Sequence, residues 1–407
     1  MLANFFIALF LAIPEPILRI IFFYKRRIII DNQRLNFQSQ VFLSFIEKSL
    51  KALGDDPVKI RTEREKNNLK NLSAKPPIKV TTQDHNLVID GHELILREYI
   101  PESIKSKNSM LYFHGGGYVI GSINTHHTWV EYFASKLQMK IYSLNYRLAP
   151  EYPFPCALED ANFAFEWIMK KCNCEAKNII LCGDSAGAHL AASLSNYRLD
   201  NQYKSSKTQL LIYPMIDPSC SSKSQDLFAN GFLLTKESMF RFWSLFRGNI
   251  SDDENPYFNL MLQEDLSNSL DTLIITAGFD PLRDEAEVYA KKLNRSGVRV
   301  RQLHYPDLFH GFVNLTGLSA NTVGALVASV ADLSGRESRH YNSLSNSIVD
   351  NNNTVTELSS LTFHTLSTEI SDLSSDTSRE ISDLSSLTFH TLSTEISDLS
   401  SDTSREI

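Results

Sequence analysis

The chain has 407 residues, 43% hydrophobic and 21% charged, with 24 Phe, 15 Tyr and 3 Trp and a formal net charge of −7. That apolar fraction excludes a fully disordered polymer, and the lack of a positive excess argues against a nucleic-acid binder, which must neutralise phosphates. The charge is unevenly spread: residues 341–407 carry eleven acidic and two basic residues, a net of −9, which leaves +2 for residues 1–340.

In chain order, Met1 to Phe23 is strongly apolar and is followed by Lys25, Arg26 and Arg27. It lacks the basic start and small-x-small cleavage site of a secretory signal. Pro14, Glu15, Pro16 and Arg19 divide it too early for the roughly 20 unbroken apolar residues of a membrane span. Two readings stand side by side: an apolar cap over a pocket on the same chain, and an interfacial membrane contact through residues 1–27. A cytoplasmic or peripherally membrane-associated location is expected, with secretion left open.

From about Arg34 to Leu72 the pattern is helical and amphipathic, with Val41, Phe42, Phe45, Ile46 and Leu50 at spacings of three to four. Pro76-Pro77 marks a boundary. Asp90-Gly91 then separates two strand-like runs, Lys79–Ile89 and Glu93–Ile100, which predict a hairpin. Further strands are expected at Met110–Phe113, Ile141–Leu144, Ile179–Cys182, Leu210–Tyr213, Leu273–Ala277 and Val298–Tyr305, with helices between them such as Ala157–Lys171 and Asp284–Arg295. This alternation predicts an α/β fold: a mostly parallel central sheet with helices on both faces. Between Tyr213 and Leu273 lie about sixty residues, far more than an ordinary α/β connection. They include the aromatic-rich Phe232–Phe246 and predict a lid.

Five cysteines (Cys156, Cys172, Cys174, Cys182, Cys220) are too few and scattered for a disulfide scaffold, and Cys172-x-Cys174 without a second pair is not a zinc site. At the C-terminus, Leu358–Ile381 recurs without a mismatch as Leu384–Ile407, a period of 26. Leu366, Ile370, Leu373, Ile381 and Leu384 keep one apolar stripe with Thr377 filling the gap, as a self-associating or partner-binding helix would. The Ser/Thr-rich acidic composition fits a disordered tail equally. The expected organisation is an apolar segment and cap helices over 1–75, a catalytic domain over 76–335 with an insert at about 217–268, and a separate low-complexity tail over 336–407.

Gly183-Asp184-Ser185-Ala186-Gly187 follows one expected strand and precedes a helix-like run from Ala188. The pattern places a serine on a sharp strand-to-helix turn that pushes its hydroxyl outward, and the small flanking residues let strand and helix approach. His114-Gly115-Gly116-Gly117 directly follows Met110–Phe113, and its uncovered N–H groups suit a developing oxyanion. His114 is read as positioning that loop. An activated serine needs a base and the base an orienting acid. His310, in Leu308-Phe309-His310-Gly311-Phe312, follows the last strand. Asp280 closes Leu273–Ala277 at the end where ligands bind in open sheets. Asp280 also reads as a helix N-cap before Pro281, and Asp284 ranks below it as the acid. His126, His127, His189 and His304 are read as structural or exposed.

These motifs, with Tyr146-Arg147-Leu148-Ala149-Pro150-Glu151, Pro153-Phe154-Pro155 and Asp280-Pro281-Leu282-Arg283-Asp284-Glu285, resemble the hormone-sensitive-lipase-type esterases. The resemblance is dense from about residue 110 to 315, weaker over 27–110 and absent in the tail. It implies an α/β-hydrolase fold with a helical cap, and hydrolysis of carboxylic esters of small molecules or lipids through an acyl-enzyme. It maps nucleophile, acid and base onto Ser185, Asp280 and His310, in the chain order of that fold. It maps the oxyanion donors onto the N–H groups of Gly116, Gly117 and Ala186, and the cap onto the N-terminal helices and the insert after Tyr213. No metal or cofactor is called for. Asn145 stands where the family usually has Asp, Ala188-His189 replaces Gly-Asn, and Cys156 replaces Ala. Rival readings are an amidase or deacetylase on the same triad, and a non-catalytic small-molecule receptor similar to the plant gibberellin receptors, which lack the catalytic histidine.

Overall fold

The computed structural model describes residues 22, 25–51, 56–66 and 74–315. The apolar stretch up to residue 21 and the repeat tail, on which expectations were placed, lie outside these. The chain divides into two units, Met1–Glu337 and Ser338–Ile407, and every described residue belongs to the first.

The N-terminal helical pattern begins later than Arg34 and is broken in two. Arg34 pairs with Ile29 in a small antiparallel ribbon of β1 (Ile29–Ile30) and β2 (Gln33–Arg34). Helices follow at α1 (Phe37–Lys51) and α2 (Pro57–Lys66). Pro57 has no N–H and is tolerated only in a first turn, so it opens a new helix rather than continuing the old one. The Asp56 carboxylate caps that helix by accepting the Val58 N–H at 2.9 Å.

The hairpin forms as expected. β3 (Val80–Ile89) and β4 (His92–Pro101) pair antiparallel up to Ile89 and His92. Asp90 and Gly91 both take positive φ, 49° and 81°, as a two-residue hairpin turn requires. An eight-stranded sheet has the order β10-β9-β8-β7-β5-β6-β4-β3, built from these two, β5 (Ser109–Phe113), β6 (Lys140–Asn145), β7 (Ile179–Asp184), β8 (Thr208–Ile212), β9 (Asp271–Phe279) and β10 (Val300–Phe309). β4 pairs antiparallel with β6, and every pair from β6 through β10 is parallel.

The central strands read as unbroken apolar runs because both faces are covered. Side chains alternate across a strand, so Leu111, Phe113, Leu181, Leu211 and Ile274 face one core and Met110, Tyr112, Cys182, Leu210 and Ile275 the other. The first core also takes α4 (Cys156–Lys171), α5 (Ala186–Asp200) and α8 (Arg283–Arg295); the second takes α3 (His127–Leu137), whose Trp129 and Phe133 stack at 4.7 Å.

The long insert contains α6 (Lys223–Leu227) and α7 (Lys236–Phe246). It shares a smaller apolar cluster with the N-terminal segment: Leu35, Phe42 and Leu43 meet Phe228 and Phe232 over Phe279 and Phe309, the last residues of β9 and β10. Arg283 at the start of α8 ties the same parts, pairing with Asp31 of the N-terminal segment at 2.7 Å and lying 5.2 Å over the Phe228 ring of the insert. The cap therefore sits on the carboxyl ends of the strands. Among the described residues no helix is long and apolar enough to cross a membrane, and all five cysteines are free thiols.

Candidate active site

β7 is buried along its whole length and ends at Asp184; α5 starts at Ala186. Ser185 between them is held at φ 57° and ψ −120°, a strained conformation for a residue with a side chain, and is 8% exposed. Close approach explains the last glycine of the motif. A Cβ on Gly187 would stand 2.0 Å from the Phe113 carbonyl oxygen, so any side chain would push the elbow off the neighbouring strand.

The residues expected to act together are brought together. His310 Nε2 lies 3.0 Å from Ser185 Oγ, and His310 Nδ1 lies 2.8 Å from Asp280 Oδ2. Asp280 accepts on that side, so Nδ1 carries the proton and Nε2 is left as acceptor for the serine hydroxyl. All three follow the carboxyl ends of parallel strands: Ser185 after β7, Asp280 after β9 and His310 after β10. Tyr213, at φ 35°, packs its ring 4.6 Å from the imidazole.

Asp280 is fully buried but is not the helix cap the sequence suggested. α8 begins at Arg283, and Asp280 Oδ1 instead accepts the Leu282 N–H at 2.8 Å in a tight turn that fixes the carboxylate. Asp284 faces the insert, accepting from the Ser224 N–H at 2.9 Å and from Arg283 Nε at 2.8 Å.

The glycine loop folds back on itself. Gly116 and Gly117 take φ 127° and 63°, and the Gly116 carbonyl accepts the Ile120 N–H at 2.9 Å. His114 is fully buried and stacks on Tyr146 at 4.3 Å; its Nδ1 donates to the Gly115 carbonyl at 2.9 Å. Burial, with the neighbouring His126, pushes its pKa down to about 3, so it is neutral and holds the loop rather than moving protons.

Behind the elbow lies a polar network that local patterns do not reveal. Asp184 Oδ1 accepts from the Gly115 N–H at 2.9 Å and from the Tyr112 hydroxyl at 2.5 Å. Its Oδ2 lies 3.4 Å from the Tyr213 hydroxyl and 3.5 Å from His126 Nε2. Burial raises the pKa of Asp184, but His126 and the Tyr112 hydrogen bond outweigh it and hold the carboxyl below its ordinary value. His189 is also buried: Nδ1 meets the Tyr118 hydroxyl at 2.6 Å and Nε2 meets the Phe258 carbonyl at 3.0 Å. Burial depresses its pKa to about 4. His126 and His189 are buried in these contacts, His126 beside Asp184 of the elbow and His189 on Tyr118 after the glycine loop. His127 and His304 bond Tyr99 and Thr276. The only local signal was a tyrosine, Tyr112, at a strand position where neighbours are apolar.

A separate polar cleft of about 390 Å³ lies between α2 and residues 121–152. Its arginines are already engaged, Arg61 with Glu151 at 2.8 Å and Arg147 with Asp160 at 2.7 Å, and it holds none of the triad. Among the described residues no cluster of three or more His, Cys, Asp or Glu is arranged to hold a metal.

Comparison with known proteins identifies the fold and the class of enzyme. A family model described as alpha/beta hydrolase fold matches residues 110–314. The chain is 33% identical over 340 residues to the carboxylic ester hydrolase LipN of Mycobacterium tuberculosis, covering 80% of this chain and 89% of that protein. It is 32% identical over 251 residues to an ethyl acetate hydrolase of Pseudomonas putida, covering 60% and 79%. Among solved structures it resembles a hyperthermophilic esterase from Pyrobaculum calidifontis, with a TM-score of 0.68 and 31% identity over 74% of this chain and 98% of the other.

Proposed function

Since the chain belongs to the hormone-sensitive-lipase-type α/β-hydrolase family and is a carboxylic ester hydrolase, we propose that Ser185, His310 and Asp280 carry its reaction through an acyl-enzyme. Ser185 Oγ attacks the ester carbonyl carbon while His310 Nε2 takes the hydroxyl proton. Asp280 holds the imidazole in the Nδ1–H tautomer and stabilises the imidazolium. The carbonyl electrons move onto oxygen, which the N–H groups of Gly116, Gly117 and Ala186 receive; losing one such donor typically costs about 3–4 kcal/mol. On collapse, His310 returns the proton to the leaving alcohol. It then activates a water that hydrolyses the acyl-enzyme and frees Ser185.

The observation that carries this reading is the continuous hydrogen-bond chain from Ser185 through His310 to Asp280, at 3.0 and 2.8 Å. Gly115 and His114 support the loop, and Gly183, Asp184 and Gly187 support the elbow. Ser185→Ala is expected to abolish p-nitrophenyl ester turnover and labelling by a fluorophosphonate; retained labelling would overturn the assignment.

Two further segments belong to this proposal. Residues 1–27 bring the enzyme to a lipid surface, supported by the apolar run to Phe23 and the basic cluster Lys25, Arg26 and Arg27 that follows it. The tail over 341–407 is a self-association or partner-binding segment separate from catalysis, supported by the exact recurrence of Leu358–Ile381 as Leu384–Ile407 and its apolar stripe.

A further inference from the structure

The aromatic residues of the insert have distinct destinations. Phe232 packs on Phe228 and Phe279 at 5.5 and 5.4 Å, and Trp243 on His189 and Phe258 at 5.3 and 5.1 Å. Phe246 stacks on Tyr118 at 3.7 Å, while Phe240 is 48% exposed. Phe242 instead stands directly over the glycine loop. A Cβ placed on Gly117 would fall 2.2 Å from its Cγ and 2.4 and 2.6 Å from its two Cδ atoms, so the ring touches the loop where Gly117 leaves room for it. On the histidine side, Leu233 Cδ2 lies 3.3 Å from where a Cβ on Gly311 would be, one residue after His310. Leu233 is held there by a positive φ of 73°. Phe242 and Leu233 are both half-buried, as side chains that meet a substrate should be.

The chemistry of the tetrahedral intermediate sorts these two walls. The former carbonyl carbon bears Ser185 Oγ, the oxyanion, the alcohol oxygen and the acyl carbon. The alcohol oxygen must lie within hydrogen-bond reach of His310 Nε2 to receive its proton. The alcohol group therefore extends past His310 and Gly311, and the acyl group takes the remaining direction, past the loop that holds the oxyanion. We propose that Phe242 bounds the acyl group and Leu233 the alcohol group, which makes them the specificity-determining residues of the insert. This rests on Ser185 and His310 acting as described above.

The test is a pair of substrate series: p-nitrophenyl esters from acetate to octanoate, and acetate esters of alcohols from ethanol to octanol. Phe242→Ala is expected to raise kcat/KM for octanoate relative to acetate by about tenfold or more while moving the alcohol series less than about twofold, and Leu233→Ala to do the reverse. Phe240→Ala, on the exposed side of the same helix, leaves both series unchanged. Phe242→Leu, which keeps an apolar side chain, is read by the same ratio should the alanine variant not fold. Flat acyl ratios in both Phe242 variants, or a shift in the alcohol series instead, would overturn the assignment of walls. Turnover surviving in Ser185→Ala would overturn the underlying reading of the site, a distinct result.

Discussion

The Asp184 carboxylate, one residue before the proposed nucleophile, accepts the backbone N–H of Gly115 at 2.9 Å and so joins the elbow to the glycine loop. The second residue of the Gly-Asp-Ser-Ala-Gly motif is thus a brace between the two halves of the proposed oxyanion site. Tyr112 strengthens it, since its hydroxyl donates to Asp184 and accepts from Trp129 Nε1 at 3.1 Å. Burial and the adjacent Asp184 push the Tyr112 pKa far up, so it stays a donor.

Asp184→Asn places an amide among these donors and leaves at least one unmatched. Hydrogen bonds to charged groups are worth about 1.5–3 kcal/mol, so kcat is expected to fall about tenfold to a hundredfold. KM should change much less, because the brace shapes the oxyanion site rather than the substrate walls. Steady-state kinetics on p-nitrophenyl acetate separates the two; a change confined to KM would contradict the bracing role.

The two acidic residues after β9 should behave differently. Asp280→Asn offers His310 an amide, favours the wrong tautomer, and is expected to lower kcat by about four orders of magnitude. Asp284 bonds the insert, so Asp284→Asn should leave kcat near the parent value and lower Tm by a few degrees, consistent with losing about 1 kcal/mol. Kinetics and thermal melts on both variants check this, and a crippled Asp284→Asn would move the acid role.

Glu285 supplies a pH test of the insert's anchorage. It is buried, accepts from the Ile216 and Asp217 N–H groups at 2.8 and 3.3 Å, and meets Gln225 Nε2 at 3.3 Å. Burial pushes its pKa up to about 8 from an ordinary 4.5, against those donors. The folded protein thus holds a proton that the unfolded chain releases, and stability falls as pH rises from about 4.5 to about 8. Gln225 Oε1 has no hydrogen-bond partner, so a rotated Gln225 amide can accept from an amide at position 285. Glu285→Gln is therefore expected to fold, and to flatten the fall in Tm measured between pH 5 and 8.

Removing residues 341–407 should leave kcat/KM on p-nitrophenyl esters unchanged and alter assembly state, read by sedimentation of the full and shortened chains. Loss of activity on truncation would contradict a tail separate from catalysis.

Much of the site was legible because its parts are local. The strand–turn–helix around Ser185 and the glycines after β5 announce themselves within a few residues, where steric limits leave little choice. The strands were legible because burial on both faces demands apolar runs. Their ends were not: β9 runs on to Phe279 and β8 stops at Ile212, since ends depend on neighbouring strands. The start of α1 was displaced for a similar reason, because Arg34 finds a pairing partner in Ile29.

Sequence alone therefore determined the fold class, the ester-hydrolase chemistry and the identity of the residues that could carry it, because each is encoded in short-range patterns of small, apolar and chemically distinctive side chains. Tertiary structure decided what those residues touch. Tyr112 and Asp184 are 72 positions apart, and Phe242 is 125 from Gly117. No periodicity foretells such meetings: the helical period puts Phe242 on the face of Met239 and Phe246 and Phe240 on the other, but it does not say what that face meets. Only packing of the insert against the sheet's carboxyl edge brings that face to the glycine loop.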